Sequence, residues 1–177
     1  MKQKSFIILA ISSALILSSC TKNDPITIGA EKFVEFDATV LNTPITGQVY
    51  PVLAKVPAYG APVVASNPNI TRTSGAVKFR VNLVGLQQSS DQTINYRVVS
   101  SPGLPTGVNP AIAGTHFNTG TSFVIPANSS FGEITINVLN PGTSSPTPVG
   151  LVLELLGNDQ VKSSENYKLL GVQISQQ

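Results

Sequence analysis

The 177-residue sequence predicts an all-β protein, a single antiparallel β-sandwich of about seven strands occupying residues 31–177. Three observations predict it. Short runs of alternating apolar and polar residues recur along the chain, and a two-residue period marks a strand with one buried face. No run sustains the 3.6-residue period of an amphipathic helix. The stretches between runs are dense in Gly, Pro, Asn and Ser, which supply turns and interrupt helices.

The elements follow in order. Residues 33–40 set Val34, Phe36, Ala38 and Val40 on one face and Glu35 and Asp37 on the other. Residues 77–83 bury Val77, Phe79, Val81 and Leu83, leaving Lys78, Arg80 and Asn82 outward. Residues 94–98 direct Ile94, Tyr96 and Val98 inward, and residues 122–126 form a shorter strand ended by Pro126. Ile134, Ile136 and Val138 share a face, as do Leu151, Leu153 and Leu155, and then Leu170, Val172 and Ile174. Seven short half-buried strands favour an antiparallel sandwich over a parallel α/β sheet. The exception is residues 41–75, where Pro44, Pro51, Pro57, Pro62 and Pro68 recur. Proline has no amide to donate to a ladder, so this segment is expected to form proline-interrupted edge strands or a long ordered loop.

The first thirty residues have a different character. Lys2 and Lys4 precede an apolar and small-residue run from Phe6 to Leu17, and Ser18 and Ser19 lead to Cys20, the single cysteine. Basic start, short apolar stretch and small-residue cleavage site are the layout of a secretory signal. The twelve residues Phe6–Leu17 would reach about 18 Å as a helix, short of an about 30 Å hydrocarbon core. Leu17-Ser18-Ser19-Cys20 resembles the lipobox of bacterial lipoproteins. That resemblance implies cleavage after residue 19 and a diacylglyceryl thioether on Cys20, with two or three acyl chains giving a stable anchor. The organisation expected is a signal peptide at 1–19, a lipidated tether at 20–30, and the sandwich at 31–177.

Loss of the signal changes the charge. Lys and Arg total 11 and Asp and Glu total 9; without Lys2 and Lys4 the balance is 9 against 9. With no net charge and no basic cluster, the electrostatic footprint of a nucleic-acid binder is absent. A lipidated Cys20 leaves no thiol for disulfides, redox chemistry or thiolate–metal sites, and no cofactor is expected.

Ala113-Gly114-Thr115-His116-Phe117, Ile125-Pro126-Ala127, Asn128–Ser130 and the alternating Ile134–Val138 resemble, in order, the turn and strand landmarks of Calx-beta-like and related immunoglobulin-like domains in Gram-negative outer-membrane lipoproteins. The resemblance covers most of the chain after Cys20 and implies fold more than function. Some such domains bind calcium through clustered carboxylates. Here His116 stands where an aspartate is usual, and Asp91 and Asp159 are isolated, so the six to eight oxygens calcium takes are not in evidence and no metal site is expected.

Four candidate sites remain. His116, the only histidine, would need a nucleophile and an orienting partner to act as a base. Glu35 and Asp37, two apart on one strand face and roughly 7 Å from each other, have a spacing used by inverting glycosidases, although such pairs on a solvent face ordinarily only solubilise. Lys78, Arg80 and Arg97 would form a small basic strip if their strands were neighbours, balanced by acids such as Glu133. Tyr50 and Tyr59, in the proline-rich segment, are the candidate ligand contacts, since flat rings on loops suit stacking against sugars.

The expected function is a lipid-anchored, non-enzymatic binding or assembly module of the cell envelope, attached to the outer membrane through Cys20. A glycan-binding accessory of an outer-membrane nutrient-uptake system and a structural or adhesive surface subunit are the alternatives. Thr21-Lys22-Asn23-Asp24 is too short a charged stretch to decide between the periplasmic and extracellular faces.

Overall fold

The computed structural model describes residues 31–37, 47–60, 72–73, 75–100 and 102–176. Cys20, the signal and tether, and much of residues 41–75 lie outside the described residues. The described residues form twelve strands: β1 (Phe33–Phe36), β2 (Val52–Val56), β3 (Arg72–Thr73), β4 (Ala76–Val84), β5 (Gln92–Val99), β6 (Asn109–Pro110), β7 (Phe117–Thr119), β8 (Ser122–Ile125), β9 (Phe131–Val138), β10 (Ser145–Gly157), β11 (Lys162–Ser163) and β12 (Leu169–Gln176). All seven alternating segments appear as strands, with five further short ones. The total therefore exceeds the expected seven.

One continuous mixed sheet curls into two layers. The first runs β2-β12-β10-β5-β8 and the second β11-β1-β4-β9-β7. β11 joins them, pairing antiparallel with the end of β10 through Gly157↔Lys162 and parallel with β1 through Phe33↔Lys162. The expected antiparallel pattern holds for most ladders, but β1–β11, β6–β10 and β2–β12 are parallel. β2 is an edge strand bracketed by Pro51 and Pro57, where a missing amide can face away from the ladder.

The period-two pattern places the core between the layers. Val34, Phe36, Phe79, Ile94, Ile134, Ile136, Leu153 and Leu170 are buried in one contiguous cluster, and each such side chain contributes about 1.5–3 kcal/mol relative to exposure. Val98 departs from the expected inward position: it is 41% exposed, at the end of β5. On the opposite face of β10, Val152 packs with Tyr50 and Val52 in a second small cluster with Val99, Leu104 and Leu169 against it.

The register sorts the loops onto two ends. Phe33 pairs with Val84 and Asn82 with Phe131, so the start of β1 shares an end with the turns at 85–91, 126–130 and 158–161. Asn128 N–H to the Gln88 carbonyl (2.7 Å) and Ala127 N–H to Asp91 Oδ1 (2.8 Å) tie those turns together. The ends of β2, β9 and β12 and the start of β10 lie at the other end.

Where β8 turns into β9 the layers pinch. A Cβ on Gly132 would lie 2.6 Å from the Val124 carbonyl oxygen and 2.9 Å from Phe123 Cδ2. Gly132→Ala is expected to destabilise the fold by about 1–3 kcal/mol, read as a lower denaturation midpoint with an unchanged denaturant slope; an unaltered midpoint would contradict the close approach.

Candidate functional site

The distal end of the sandwich, opposite the start of β1, carries a pocket of about 280 Å³. Tyr59, just after β2, forms part of its wall, with His116 before β7, Asn140 and Ser144 between β9 and β10, and Gln176 at the end of β12. Val138, Val149 and Ile174 supply its apolar floor. Among the described residues lining it there is no Asp, Glu, Lys or Arg.

Local contacts set the polar groups. Ile112 N–H donates to His116 Nδ1 at 2.9 Å, so the neutral ring carries its proton on Nε2. The Leu139 N–H donates to the His116 carbonyl at 2.9 Å, fastening the turn to the end of β9. Gly142 N–H donates to Asn140 Oδ1 at 2.9 Å, the side-chain-to-backbone turn that asparagine favours, with Gly142 at a φ of 74°. Ser144 donates to the Gln176 carbonyl at 3.1 Å, and Gln176 Nε2 donates to the Thr147 carbonyl at 2.7 Å. The bonds used here leave His116 Nε2–H and the Asn140 amide NH₂ as donors and Gln176 Oε1 as an acceptor. His116 is thus a turn residue at the pocket wall whose Nδ1 is taken by the Ile112 amide.

The two candidate tyrosines separate. Tyr59 is 53% exposed. One edge of its ring is held near Gly75, where an added Cβ would lie 3.4 Å from Cε2 and 3.1 Å from the Val138 carbonyl oxygen. Tyr50 is only 2% exposed. Its ring covers Gly171, whose Cβ would stand 2.7 Å from Tyr50 Cε2, and its hydroxyl donates to the Gly103 carbonyl at 2.7 Å. Burial also pushes the Tyr50 hydroxyl pKa upward. Tyr50 is therefore a clamp between β12 and the loop after β5, and the expectation that it contacts ligand is corrected: no face of its ring is open.

The charged candidates also change meaning. Asp37 does not lie on a solvent face; it follows the end of β1, is 5% exposed, and its Oδ2 sits 3.9 Å from Arg80 Nε. Arg80 stacks 4.1 Å above the Phe131 ring and donates to Asn82 Oδ1 at 2.8 Å. Glu35 is half-buried, and its pKa is raised above 4.5 first by burial and then by the neighbouring Asp37. The basic strip dissolves as well, because β4 and β5 belong to different layers. Lys78 pairs with Glu133 at 2.9 Å and Arg97 with Glu154 at 2.7 Å. Among the described residues no three His, Cys, Asp or Glu side chains converge as a metal site.

Other concavities occur among the described residues. An apolar groove of about 600 Å³ runs between the end of β5 and the loop at 103–111, and a shallow cleft of about 410 Å³ lies over Asn118, Thr135 and Asn137. The distal pocket draws on Asn140, Ser144 and Gln176, which the sequence marked only as turn and strand-end residues. The sole signal of the site was Tyr59 beside His116 as isolated ring-bearing residues of loops.

No family model matches the chain, and no curated protein matches it. Solved structures resemble it in fold. A Bacteroides ovatus protein of unknown function superposes with a TM-score of 0.53 at 9% identity, covering 82% of this chain and 52% of its own. A two-domain protein of unknown function from Bacteroides fragilis gives 0.52 at 11% identity, covering 82% of this chain and 45% of its own. The chain spans about half the length of these two structures. The apo form of the Calx CBD1 domain gives 0.42 at 18% identity over 57% of this chain and 81% of that one, too loose a superposition to bear on either fold or function. At these identities the likeness is one of fold alone.

Two outcomes test these assignments. Tyr50→Phe, which removes one buried hydrogen bond, is expected to cost about 1 kcal/mol of stability, and Tyr50→Ala about 3–5 kcal/mol; wild-type denaturation midpoints for both would contradict the clamp. For Glu35, a folded-state pKa above the unfolded value means that ionisation opposes folding at neutral pH and the opposition vanishes as pH falls through the carboxylate range. Glu35→Gln is therefore expected to raise the melting temperature at pH 7 and to match wild type near pH 3, and the reverse ordering would refute the assignment.

Proposed function

We propose that this chain is a lipid-anchored, non-enzymatic binding module of the cell envelope, held at the outer membrane by acylated Cys20 and binding its ligand at the far end of the sandwich. The observation that carries the reading is positional. Glu31 and Lys32 are fixed by Lys162 (2.7 Å) and Gln88 (2.7 Å) at the end where β1 starts, and the pocket with exposed Tyr59 is at the opposite end. A tether of ten residues after Cys20 reaches at most about 35 Å, enough to hold the domain off the headgroups with its pocket outward.

Of the two finer readings, glycan-binding accessory is favoured over adhesive subunit. An adhesive subunit that pairs by strand addition needs a long open edge, whereas among the described residues the outermost β2, β7 and β8 have five, three and four residues. The uncharged pocket wall with one exposed aromatic ring suits a sugar.

Anchoring is tested by metabolic labelling with an alkyne fatty acid in a Gram-negative host. Wild type is expected to take up label and sediment with membranes; Cys20→Ala is expected to lose the label and leave the membrane fraction. Membrane retention of unlabelled Cys20→Ala would overturn the anchor.

A further inference from the structure

We infer that the distal pocket is a subsite for one neutral pyranose ring, stacked on Tyr59, and that it rejects acidic sugars. The inference deepens the binding-module reading and rests on it for the site's role, though not for its chemistry.

Size comes first. About 280 Å³ falls just below the about 300–1,000 Å³ of sites for drug-sized ligands. It is room for one six-membered ring with its hydroxyls and too little for two. The occupant is then a free sugar or the end residue of a glycan.

Lining chemistry comes second. A pyranose offers one apolar face of C–H bonds and a rim of hydroxyls that both donate and accept. Tyr59 supplies a half-exposed aromatic ring with one edge beside Gly75. His116 Nε2–H and the Asn140 amide can donate, and Gln176 Oε1 can accept, because the bonds from Ile112, Gly142 and Thr147 occupy the other atoms of these groups. Val149 and Ile174 give an apolar floor. Each polar group is thus oriented by the fold before any ligand arrives, which lowers the ordering cost of binding.

Charge comes third and sets specificity. A uronic or sialic carboxylate entering this pocket would leave water without meeting a cation, since the described lining has no Lys or Arg. Burying an unpaired carboxylate is strongly unfavourable. A cationic ligand is disfavoured in the same way by the lack of Asp and Glu in the described lining.

The test uses the full chain in detergent and saturation-transfer NMR with methyl glucoside, galactoside, mannoside and N-acetylglucosaminide, each beside an oligosaccharide ending in that sugar, and with methyl glucuronide as the charged probe. At least one neutral sugar is expected to show transfer, and methyl glucuronide none. Equal binding of the methyl glycoside and its oligosaccharide identifies a free-sugar site; tighter binding of the oligosaccharide identifies a glycan-end site. Tyr59→Ala is expected to weaken binding about tenfold, as loss of a stacking ring does, while Tyr59→Phe keeps most of it and both variants keep the wild-type melting temperature. No transfer from any neutral sugar, glucuronide binding as tight as glucoside, or unchanged affinity in Tyr59→Ala would each overturn the inference. None of these results depends on Cys20, so loss of the anchor with sugar binding intact would defeat the membrane reading alone.

Discussion

The structure depends on β10 being buried on both faces. It is the longest strand, thirteen residues, and it pairs with β12 and, at its last residue, β11 along one edge and with β5 and β6 along the other. Val149, Leu151, Leu153 and Leu155 fill the space between the layers, while Val152 on the reverse face lies under Tyr50. A strand covered on both sides reads as a nearly continuous apolar run, and 149–156, Val-Gly-Leu-Val-Leu-Glu-Leu-Leu, does so. Gly150 is small because the covering loop crosses there: a Cβ would stand 2.8 Å from Val108 Cγ1 and 3.0 Å from Leu104 Cδ2. Glu154, the one charge in the run, is matched by Arg97 on the adjacent strand.

The same strand measures out the molecule. Thirteen residues at about 3.3 Å each separate its ends by up to about 40 Å. Its first residues border the distal pocket, and its last residue pairs with Lys162, which in turn holds Glu31. Where the chain enters the sandwich and where it can receive a ligand are therefore set apart by one rigid element rather than by loops.

How far the sequence was legible follows from what a two-residue period encodes. It says which residues share a face, and every long strand was found that way. It does not say which layer a strand joins, so Arg97 was grouped with Lys78 although β5 and β4 lie in different layers. Nor does it say whether the outward face is covered. Asp37 and Tyr50 are both buried by chain distant in sequence, Asp37 near Arg80 and Tyr50 beneath the loop containing Gly103. β3, β6 and β11, two residues each, are too short to show any period. The pocket was the least legible part, because its walls come from four separate segments that only the register of β9, β10 and β12 brings together. Tyr59 could be named from its type and context, but its partners Asn140 and Gln176 carry no motif.

The distribution of charge bears on how such a pocket would work. On the layer faces, Lys78, Arg80, Arg97, Lys162 and Lys168 each have a carboxylate within 4.0 Å, pairs that are individually worth about 0–1 kcal/mol when exposed. Among the described residues they leave little field to steer a charged partner, and the described pocket wall adds none. The proposed recognition there would rest on contact alone, through one ring and a few neutral hydrogen bonds, and would be weak and salt-insensitive. Weak sites become effective when many copies share a surface, since a second contact to the same partner is then made at high effective concentration. Lipid anchoring at Cys20 would supply that surface, so the proposed anchor and the uncharged pocket fit one design: a shallow affinity per copy, multiplied by display.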